Sequence, residues 1–189
     1  LSLHDALPIS PMNGVIGMID LARMNQLDEE TSEFLKIAQS SAESLLTILN
    51  DILDVSKIEA GKLSIDNMPF EFATLISEVL RLMEPLINDK GLAHHLTIPL
   101  DLPETLIGDP LRIRQVLLNL IGNALKFTRQ GSIAVDVKIF AKNETSVTLK
   151  IIISDTGIGI PSDRLEAIFH AFTQADGSTT RDFGGTGLG

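Results

Sequence analysis

Two asparagines and a lysine near the middle of the chain have the types and spacing of a phosphate site. Asn119 and Asn123 lie four residues apart in GDPLRIRQVLLNLIGNALKFT, and Lys126 follows within a turn. If this segment is a helix, the two amides project in the same direction. An amide oxygen can ligate magnesium, and an ammonium can contact phosphate. The pattern suits a magnesium-bound polyphosphate, and it suits an exposed polar helix face equally well.

A second group of residues follows an apolar run. Asp155 stands in SDTGIGI, directly after the predicted strand Val147–Ser154. Gly157 and Gly159 would let the backbone approach a ligand closely. A carboxylate there can accept a hydrogen bond from an exocyclic amine such as that of adenine. Asp-x-Gly is also an ordinary turn sequence, so this segment alone is a weak signal.

The third segment with chemical potential is IFHAFTQADGSTTRDFGGTGLG. Phe169 and Phe172 lie one helical turn apart, and a polar, glycine-rich stretch follows them. It does not match the P-loop, which needs Gly-Lys-Ser/Thr, and a flexible loop is the simpler interpretation of this piece alone. Backbone N–H groups that could meet phosphates belong to Gly184, Gly185, Gly187 and Gly189.

Before these segments, the pattern from Met12 to about Ile58 predicts two helices. Asp28 suits the N-cap of the second helix, and Gly61 suits its end. The apolar stripe of the first helix consists of Met12, Val15, Ile16, Ile19 and Ala22. The stripe of the second helix, close to a heptad repeat, consists of Ala38, Ala42, Leu45, Leu49 and Ile52. A dimeric four-helix bundle would cover both stripes; the alternative is a hairpin packed on the downstream domain.

The downstream part reads as mixed α/β. We predict a helix over Ala73–Lys90, a short strand in HHLTIPL and a helix capped by Asp109 with Pro110 in its first turn. Strands with antiparallel pairing follow, the first of them alternating over Ile133–Ile139 and the second over Val147–Ser154. The buried stripe expected on the capped helix consists of Ile113, Val116, Leu117, Leu120, Ile121 and Ala124.

Composition excludes several classes of protein. A net charge of −10 over 189 residues argues against a nucleic-acid groove, which must neutralise phosphates. The absence of cysteine excludes disulfides, thiolate metal sites and cysteine nucleophiles. No run of about 18 apolar residues occurs, so the sequence predicts no membrane span.

In their order and spacing, the three segments resemble the ATP-binding domain of sensor histidine kinases. NLIGNALKFT is similar to the asparagine box of that family, DTGIGI to its first glycine box, IFHAF to its phenylalanine box and GGTGLG to its second glycine box. The hairpin from PMNGVIGM to DILDVSKIEAGKL resembles the dimerisation and phosphotransfer domain. The resemblance implies an α+β fold class: a helical hairpin over residues 10–66, forming a dimeric four-helix bundle, and an α/β sandwich over residues 67–189 that binds ATP.

The resemblance also implies roles for individual residues. Asn123 would ligate magnesium with Asn119 in support, Lys126 would contact phosphate, and Asp155 would bind the adenine amine. The glycines implied are Gly157 and Gly159 around the base, and Gly185 and Gly187 over the phosphates. Hydrolytic members of the superfamily carry a glutamate at the position of Asn119 to activate water. An amide cannot serve as that general base, so transfer is favoured over hydrolysis.

The phosphate-accepting histidine of the family is missing from its expected position. It stands in His-Glu-x-Arg-Thr-Pro, five residues before a proline that corresponds to Pro11. That position holds Ala6, with Leu7 and Ile9 in place of the acid and the arginine. His4 is two residues out of register, about 200° around a helix from the acceptor face. The chain as written is therefore expected not to phosphorylate itself.

We interpret residues 1–9 as foreign to the protein. LSLHDALPI is the translation of the end of a common sequencing-library adapter, and Ser10 stands where the family has threonine. A divergent native N-terminus is the alternative. At the other end GGTGLG stops inside the second glycine box, so we expect the ATP-binding domain to be incomplete.

These inferences lead to an expected function. The leading expectation is the cytoplasmic portion of a membrane-bound sensor kinase, in contact with a membrane only through missing upstream segments. It would use Mg-ATP to phosphorylate a histidine and pass the phosphoryl group to an aspartate of a response-regulator receiver domain. The alternative is a non-catalytic module that dimerises and docks a receiver.

Overall fold

The structure is a computed structural model that describes residues 3–25 and 27–165, with side chains described from residue 11 onward. The chain divides into two compact units between Leu63 and Ser64. Each unit has its own secondary structure. No helix in the described part of the chain is long and apolar enough to cross a membrane.

The first unit is a helical hairpin of α1 (Leu3–Arg23) and α2 (Glu29–Glu59), which confirms the two predicted helices. Asp28 caps α2 as expected: one carboxylate oxygen accepts the backbone N–H of Thr31 at 2.8 Å, and the other accepts the Thr31 hydroxyl at 2.7 Å. These hydrogen bonds lower the pKa of Asp28, because they favour its charged form.

Helix α2 ends at a glycine in the left-handed conformation. Gly61 has φ +63°, and its N–H donates to the carbonyl oxygen of Ile58 at 3.0 Å. The N–H of Lys62 donates to the carbonyl oxygen of Lys57 at 2.8 Å. This pair of bonds is a Schellman motif, which satisfies carbonyls at the end of a helix.

The apolar stripe of α2 is only partly covered within the hairpin. Ala42 is buried, whereas Leu45 and Ile52 keep 47% and 39% of their surface exposed. Polar groups instead join the two helices, since Gln39 of α2 hydrogen-bonds both Asp20 and Arg23 of α1. One hairpin therefore leaves much of its apolar stripe in contact with solvent.

Within its described residues, the second unit contains two α-helices, a short 3-10 helix over Ser162–Arg164 and two small sheets. Its α-helices are α3 (Phe72–Asp89) and α4 (Pro110–Phe127), and its strands are β1 (Met68–Phe70), β2 (Ala93–Thr97), β3 (Leu106–Gly108), β4 (Ser132–Lys142) and β5 (Val147–Asp155). The main sheet has the order β2-β4-β5, and β1 pairs with β3 in a separate two-stranded sheet. An α/β unit that follows a helical hairpin along the chain confirms the predicted fold class.

Two expectations about the strands are corrected. The β4–β5 pair is antiparallel, as predicted, but β2 runs parallel to β4. The reason is that the chain passes through α4 between these strands, and such a crossover brings the second strand back in the same direction. The short strands β1 and β3 were not predicted, because three residues are too few to show an alternating pattern.

The core of the second unit lies between the helices and one face of the main sheet. Its fully buried members include Ile76, Val79, Ile87, Leu117, Ile121, Ile133 and Val135. The stripe predicted for α4 was wrong at two positions, since Val116 is 57% and Leu120 47% exposed. Each of them lies about 100° around the helix from the buried residue that follows it. The exposed face of α4 therefore includes Val116 and Leu120 beside Asn119, with the half-buried Asn123 at its edge.

Candidate functional site

Helix α4 carries the predicted asparagines, and its start is fixed by Asp109. One carboxylate oxygen of this buried residue accepts the backbone N–H of Arg112 at 3.0 Å, and the other accepts the N–H of Asp66 at 3.1 Å. The Arg112 bond is the main cause that lowers the pKa of Asp109, and the Asp66 bond adds to it. Pro110 occupies the first turn, where no donor is needed. The cap predicted from Asp-Pro is therefore present.

The two asparagines lie together on α4. The Nδ2 atom of Asn123 is 3.5 Å from the Oδ1 atom of Asn119, at the long limit of a hydrogen bond. Asn119 is exposed and Asn123 half-buried. Because the bond between the two amides is long, it is weak, and a ligand could replace it.

At the C-terminal end of the same helix, the Lys126 ammonium lies 5.2 Å from the centroid of the Phe127 ring. A residue that sequence reasoning missed also lies here. The ammonium of Lys90 donates to the carbonyl oxygen of Leu125 at 2.6 Å and lies 3.5 Å from that of Lys126. A cation at this end of a helix stabilises the last carbonyls and the helix dipole. Lys90 is 35 residues from Leu125, so no local pattern points to the contact.

Asp155 ends β5, and its side chain shapes the turn that follows. Its carboxylate accepts the N–H of Gly157 at 2.8 Å. A Cβ added at Gly157 would lie 2.5 Å from the carbonyl oxygen of Phe127, so a side chain there would displace the end of α4. Gly159 has φ +68°, a conformation that favours glycine. The end of β5 thus packs directly against the end of α4.

This packing gathers most of the candidate residues in one region. Asn123 and Lys126 belong to the last turns of α4, and Asp155 precedes the glycine that touches Phe127. The remaining candidates, Gly185 and Gly187, lie outside the described residues, as do Phe169 and Phe172. The structure therefore describes the part of the site that α4 and the end of β5 form.

The candidate residues fit a magnesium ion that is bound at the same time by the phosphate oxygens of a ligand. Among the described residues, no group of three or more histidines, aspartates or glutamates could hold a metal ion. Magnesium commonly takes one or two protein oxygens and completes its shell with phosphate oxygens and waters. The Asn119–Asn123 pair can supply such an oxygen, so the residues present fit a magnesium ion that arrives with a polyphosphate.

Comparison with family models separates the chain into two matched regions. Residues 10–61 match the His Kinase A (phospho-acceptor) domain. Residues 108–189 match the family described as histidine kinase-, DNA gyrase B-, and HSP90-like ATPase. The second match begins at Gly108, just before the cap of α4, and includes every candidate residue described above.

Relatives and solved structures with a similar chain are histidine kinases. The sensor histidine kinase GacS of Pseudomonas protegens is 44% identical over 95% of this chain, and the match covers 20% of GacS. A crystal structure of full-length ShkA in complex with AMPPNP matches 97% of this chain and 37% of its own, with a TM-score of 0.75 and 29% identity. A complex of histidine kinase ThkA with response regulator TrrA matches 89% of this chain and 48% of its own, with a TM-score of 0.54 and 27% identity.

The chain spans about a fifth of the length of the curated relatives it matches. Within that span the helical hairpin corresponds to the phospho-acceptor family, and the α/β unit corresponds to the ATPase family. This chain belongs to the sensor histidine kinase family.

Proposed function

We propose that the second unit binds Mg-ATP and that the parent protein transfers the γ-phosphoryl group to a histidine on α1. The phosphoryl group then passes to an aspartate on the receiver domain of a response regulator. Support comes from the ATPase family match, from ShkA bound to AMPPNP and from ThkA bound to a response regulator. The hairpin acts as a homodimer, and the chain belongs to the cytoplasmic portion of a membrane-bound sensor.

The observation that carries this proposal is the contact between the end of β5 and the end of α4. It brings the carboxylate segment of Asp155 to the helix that bears Asn119, Asn123 and Lys126. A nucleotide has an exocyclic amine at one end and charged phosphates at the other. In this assignment Asp155 accepts from the adenine amine, while α4 faces the phosphates.

Three residues of α4 have separate roles at the phosphate end of the nucleotide. Asn123 supplies an amide oxygen to the magnesium ion, and Asn119 supports that site. The Lys126 ammonium compensates phosphate charge. Magnesium, when bound, withdraws electron density from the phosphoryl group. Gly157 and Gly159 shape the base pocket, and Gly185 and Gly187 close over the phosphates.

The amide of Asn119 favours transfer over hydrolysis. A water attacking phosphorus needs a neighbouring base to take its proton, and an uncharged amide has no usable basicity. Asn119 therefore cannot activate a water molecule for attack on the phosphate. The phosphoryl group is kept for a side-chain nucleophile, which in this family of proteins is a histidine.

A second candidate function applies to the chain as written, in which position 6 is alanine. A chain without the acceptor histidine can still dimerise and dock a receiver domain. In that case it acts as a non-catalytic module, even if the second unit binds nucleotide.

Labelling with γ-phosphate-labelled ATP separates the two candidates. The chain as written should acquire no acid-labile, base-stable label, because Ala6 cannot accept phosphate. In a chain completed at its C-terminus, the variant Ala6→His, Leu7→Glu, Ile9→Arg restores the family motif and should become labelled at position 6, and it should pass the label to a receiver domain. Label on His4 of the unaltered chain would contradict the assigned register. A restored variant that binds Mg-ATP yet stays unlabelled at position 6 would also contradict the assigned register.

A further inference from the structure

Thr156, which directly follows Asp155, is hydrogen-bonded to the turn between α4 and β4. Its hydroxyl donates to the carbonyl oxygen of Gln130 at 3.2 Å and accepts from the backbone N–H of Ser132 at 3.0 Å. Its own N–H donates to the carbonyl oxygen of Ser132 at 3.2 Å. One side chain at the end of β5 therefore bridges the residues on both sides of Gly131.

Gly131 has the conformation and the space that this bridge requires. Its φ is +112°, a region in which side chains other than that of glycine are strained. A Cβ added at Gly131 would also overlap the hydroxyl oxygen of Thr156. The turn is thus shaped around the Thr156 hydroxyl, and a residue larger than glycine would push it away.

The next residue makes a second contact with the same part of the fold. Gly157 packs on the carbonyl of Phe127, the last residue of α4. Residues 156 and 157 are therefore both held, one by the turn after α4 and the other by its end. Since Asp155 immediately precedes them, these two contacts set where its carboxylate lies relative to Asn123 and Lys126.

We infer that Thr156 is a positioning residue for the nucleotide: its hydroxyl fixes the separation between the Asp155 carboxylate and the asparagines of α4. This inference rests on the proposed function, which assigns adenine to Asp155 and the magnesium-bound phosphates to α4. A ligand that must reach both groups at once depends on their separation. ATP should therefore be affected more than GTP, which presents a carbonyl where adenine has its amine.

The test is the ratio of dissociation constants for ATP and GTP, measured with magnesium by titration calorimetry on the chain completed at its C-terminus. Thr156→Val keeps the shape of the side chain and removes its hydroxyl. We expect it to reduce the preference for ATP by about threefold to tenfold, the range for loss of ordinary hydrogen bonds. Thr156→Ser keeps the hydroxyl and should keep the preference. Thr148→Val, at an exposed threonine of β5, is the matched control.

A second comparison separates positioning from simple stabilisation. If Thr156 acts through Asp155, Thr156→Val should change the ATP/GTP ratio no further in a chain that already carries Asp155→Asn. A purely structural residue would weaken both nucleotides equally and leave their ratio unchanged. Thr156→Ala removes the hydroxyl in a second way and should reproduce the loss, so the result does not depend on how well one variant folds.

The outcomes distinguish a failure of this inference from a failure of the proposed function on which it rests. If the unaltered chain does not prefer ATP, the role of Asp155 is overturned and that of Thr156 with it. If the unaltered chain prefers ATP and both Thr156→Val and Thr156→Ala keep the preference, the role of Thr156 alone is overturned. Additive effects of Thr156→Val and Asp155→Asn would also overturn it.

Discussion

At the residue scale, the hydroxyl group of Thr128 is buried without a compensating hydrogen bond among the described residues. Thr128 lies directly after α4 and is fully buried. A buried, unsatisfied polar group destabilises the folded state by about 1–3 kcal/mol. Thr128→Val replaces the hydroxyl with a methyl group of similar shape, so it should raise the free energy of unfolding by about 1 kcal/mol.

Chemical denaturation followed by circular dichroism measures this change. Thr148→Val, at an exposed position, should change the free energy of unfolding much less, because its hydroxyl remains hydrated in the folded state. A Thr128→Val variant less stable than the unaltered chain would mean that the Thr128 hydroxyl has a partner in solution, such as an ordered water.

Residues of the site differ in how far the sequence could reveal them. Asn119 and Asn123 are four residues apart on one helix, so their proximity follows from helical periodicity alone. The contacts of Lys90 with Leu125 and of Thr156 with Gln130 join residues 35 and 26 positions apart. These contacts depend on how α3, α4 and β5 pack, and no local pattern encodes that arrangement.

At the element scale, local signals predicted the boundaries of elements better than their partners. Asp109 with Pro110 fixed the start of α4, and Gly61 fixed the end of α2, because caps depend on neighbouring residues. The strands β4 and β5 were recognised by their alternating and apolar patterns. The parallel pairing of β2 with β4 was missed, since it depends on the path of the chain through α4. The exposure of Val116 and Leu120 was missed because it depends on where the sheet meets the helix.

The Asp109 cap of α4 should make the stability of the second unit decrease at low pH. Hydrogen bonds from the N–H groups of Arg112 and Asp66 hold the pKa of Asp109 below its ordinary value of 3.8. The folded state therefore releases this proton more readily than the unfolded state. The resulting stabilisation is fully present above the ordinary pKa, and it is lost as the pH falls through the lower pKa of the folded state.

Asp109→Asn should remove this dependence. The N–H groups of Arg112 and Asp66 meet different oxygens of Asp109. Asparagine has an NH₂ group in place of one of these oxygens, so the variant loses one of the two bonds and should be less stable at neutral pH. Its deficit relative to the unaltered chain should shrink as the pH falls below the ordinary pKa of aspartate. Denaturant unfolding at a series of pH values measures the difference, with Asp89→Asn, at an exposed aspartate of α3, as a control for net charge. A deficit that stays constant with pH would contradict the role of the Asp109 carboxylate.

At the scale of the whole molecule, the hairpin carries an apolar stripe that one copy does not cover. Burying one leucine stabilises a protein by roughly 1.5–3 kcal/mol. Several such residues in each protomer outweigh the loss of translational and rotational freedom on association, which costs about 4–15 kcal/mol. We therefore expect the chain to dimerise through α1 and α2 at micromolar concentration.

Leu49→Glu should abolish the dimer, because it places a charge in the expected seam. Sedimentation velocity should show a dimer for the unaltered chain and a monomer or an unfolded chain for the variant. Asn50→Glu introduces the same charge at the neighbouring exposed position and should leave the dimer intact. A folded monomer of the unaltered chain, whose helicity Leu49→Glu does not change, would exclude the bundle.

The central claim is that Asn123 holds the magnesium ion of a bound nucleotide, and the most direct test is the dissociation constant of ATP with and without magnesium. The unaltered chain should bind ATP more tightly with the metal. Asn123→Ala should remove at least about tenfold of that gain, since even indirect supports of a metal site are worth that much. Its affinity for metal-free ATP should stay nearly unchanged, and Asn88→Ala on α3 should alter neither value. A chain that binds ATP equally well without magnesium, or an Asn123→Ala variant that keeps the full gain, would contradict the account.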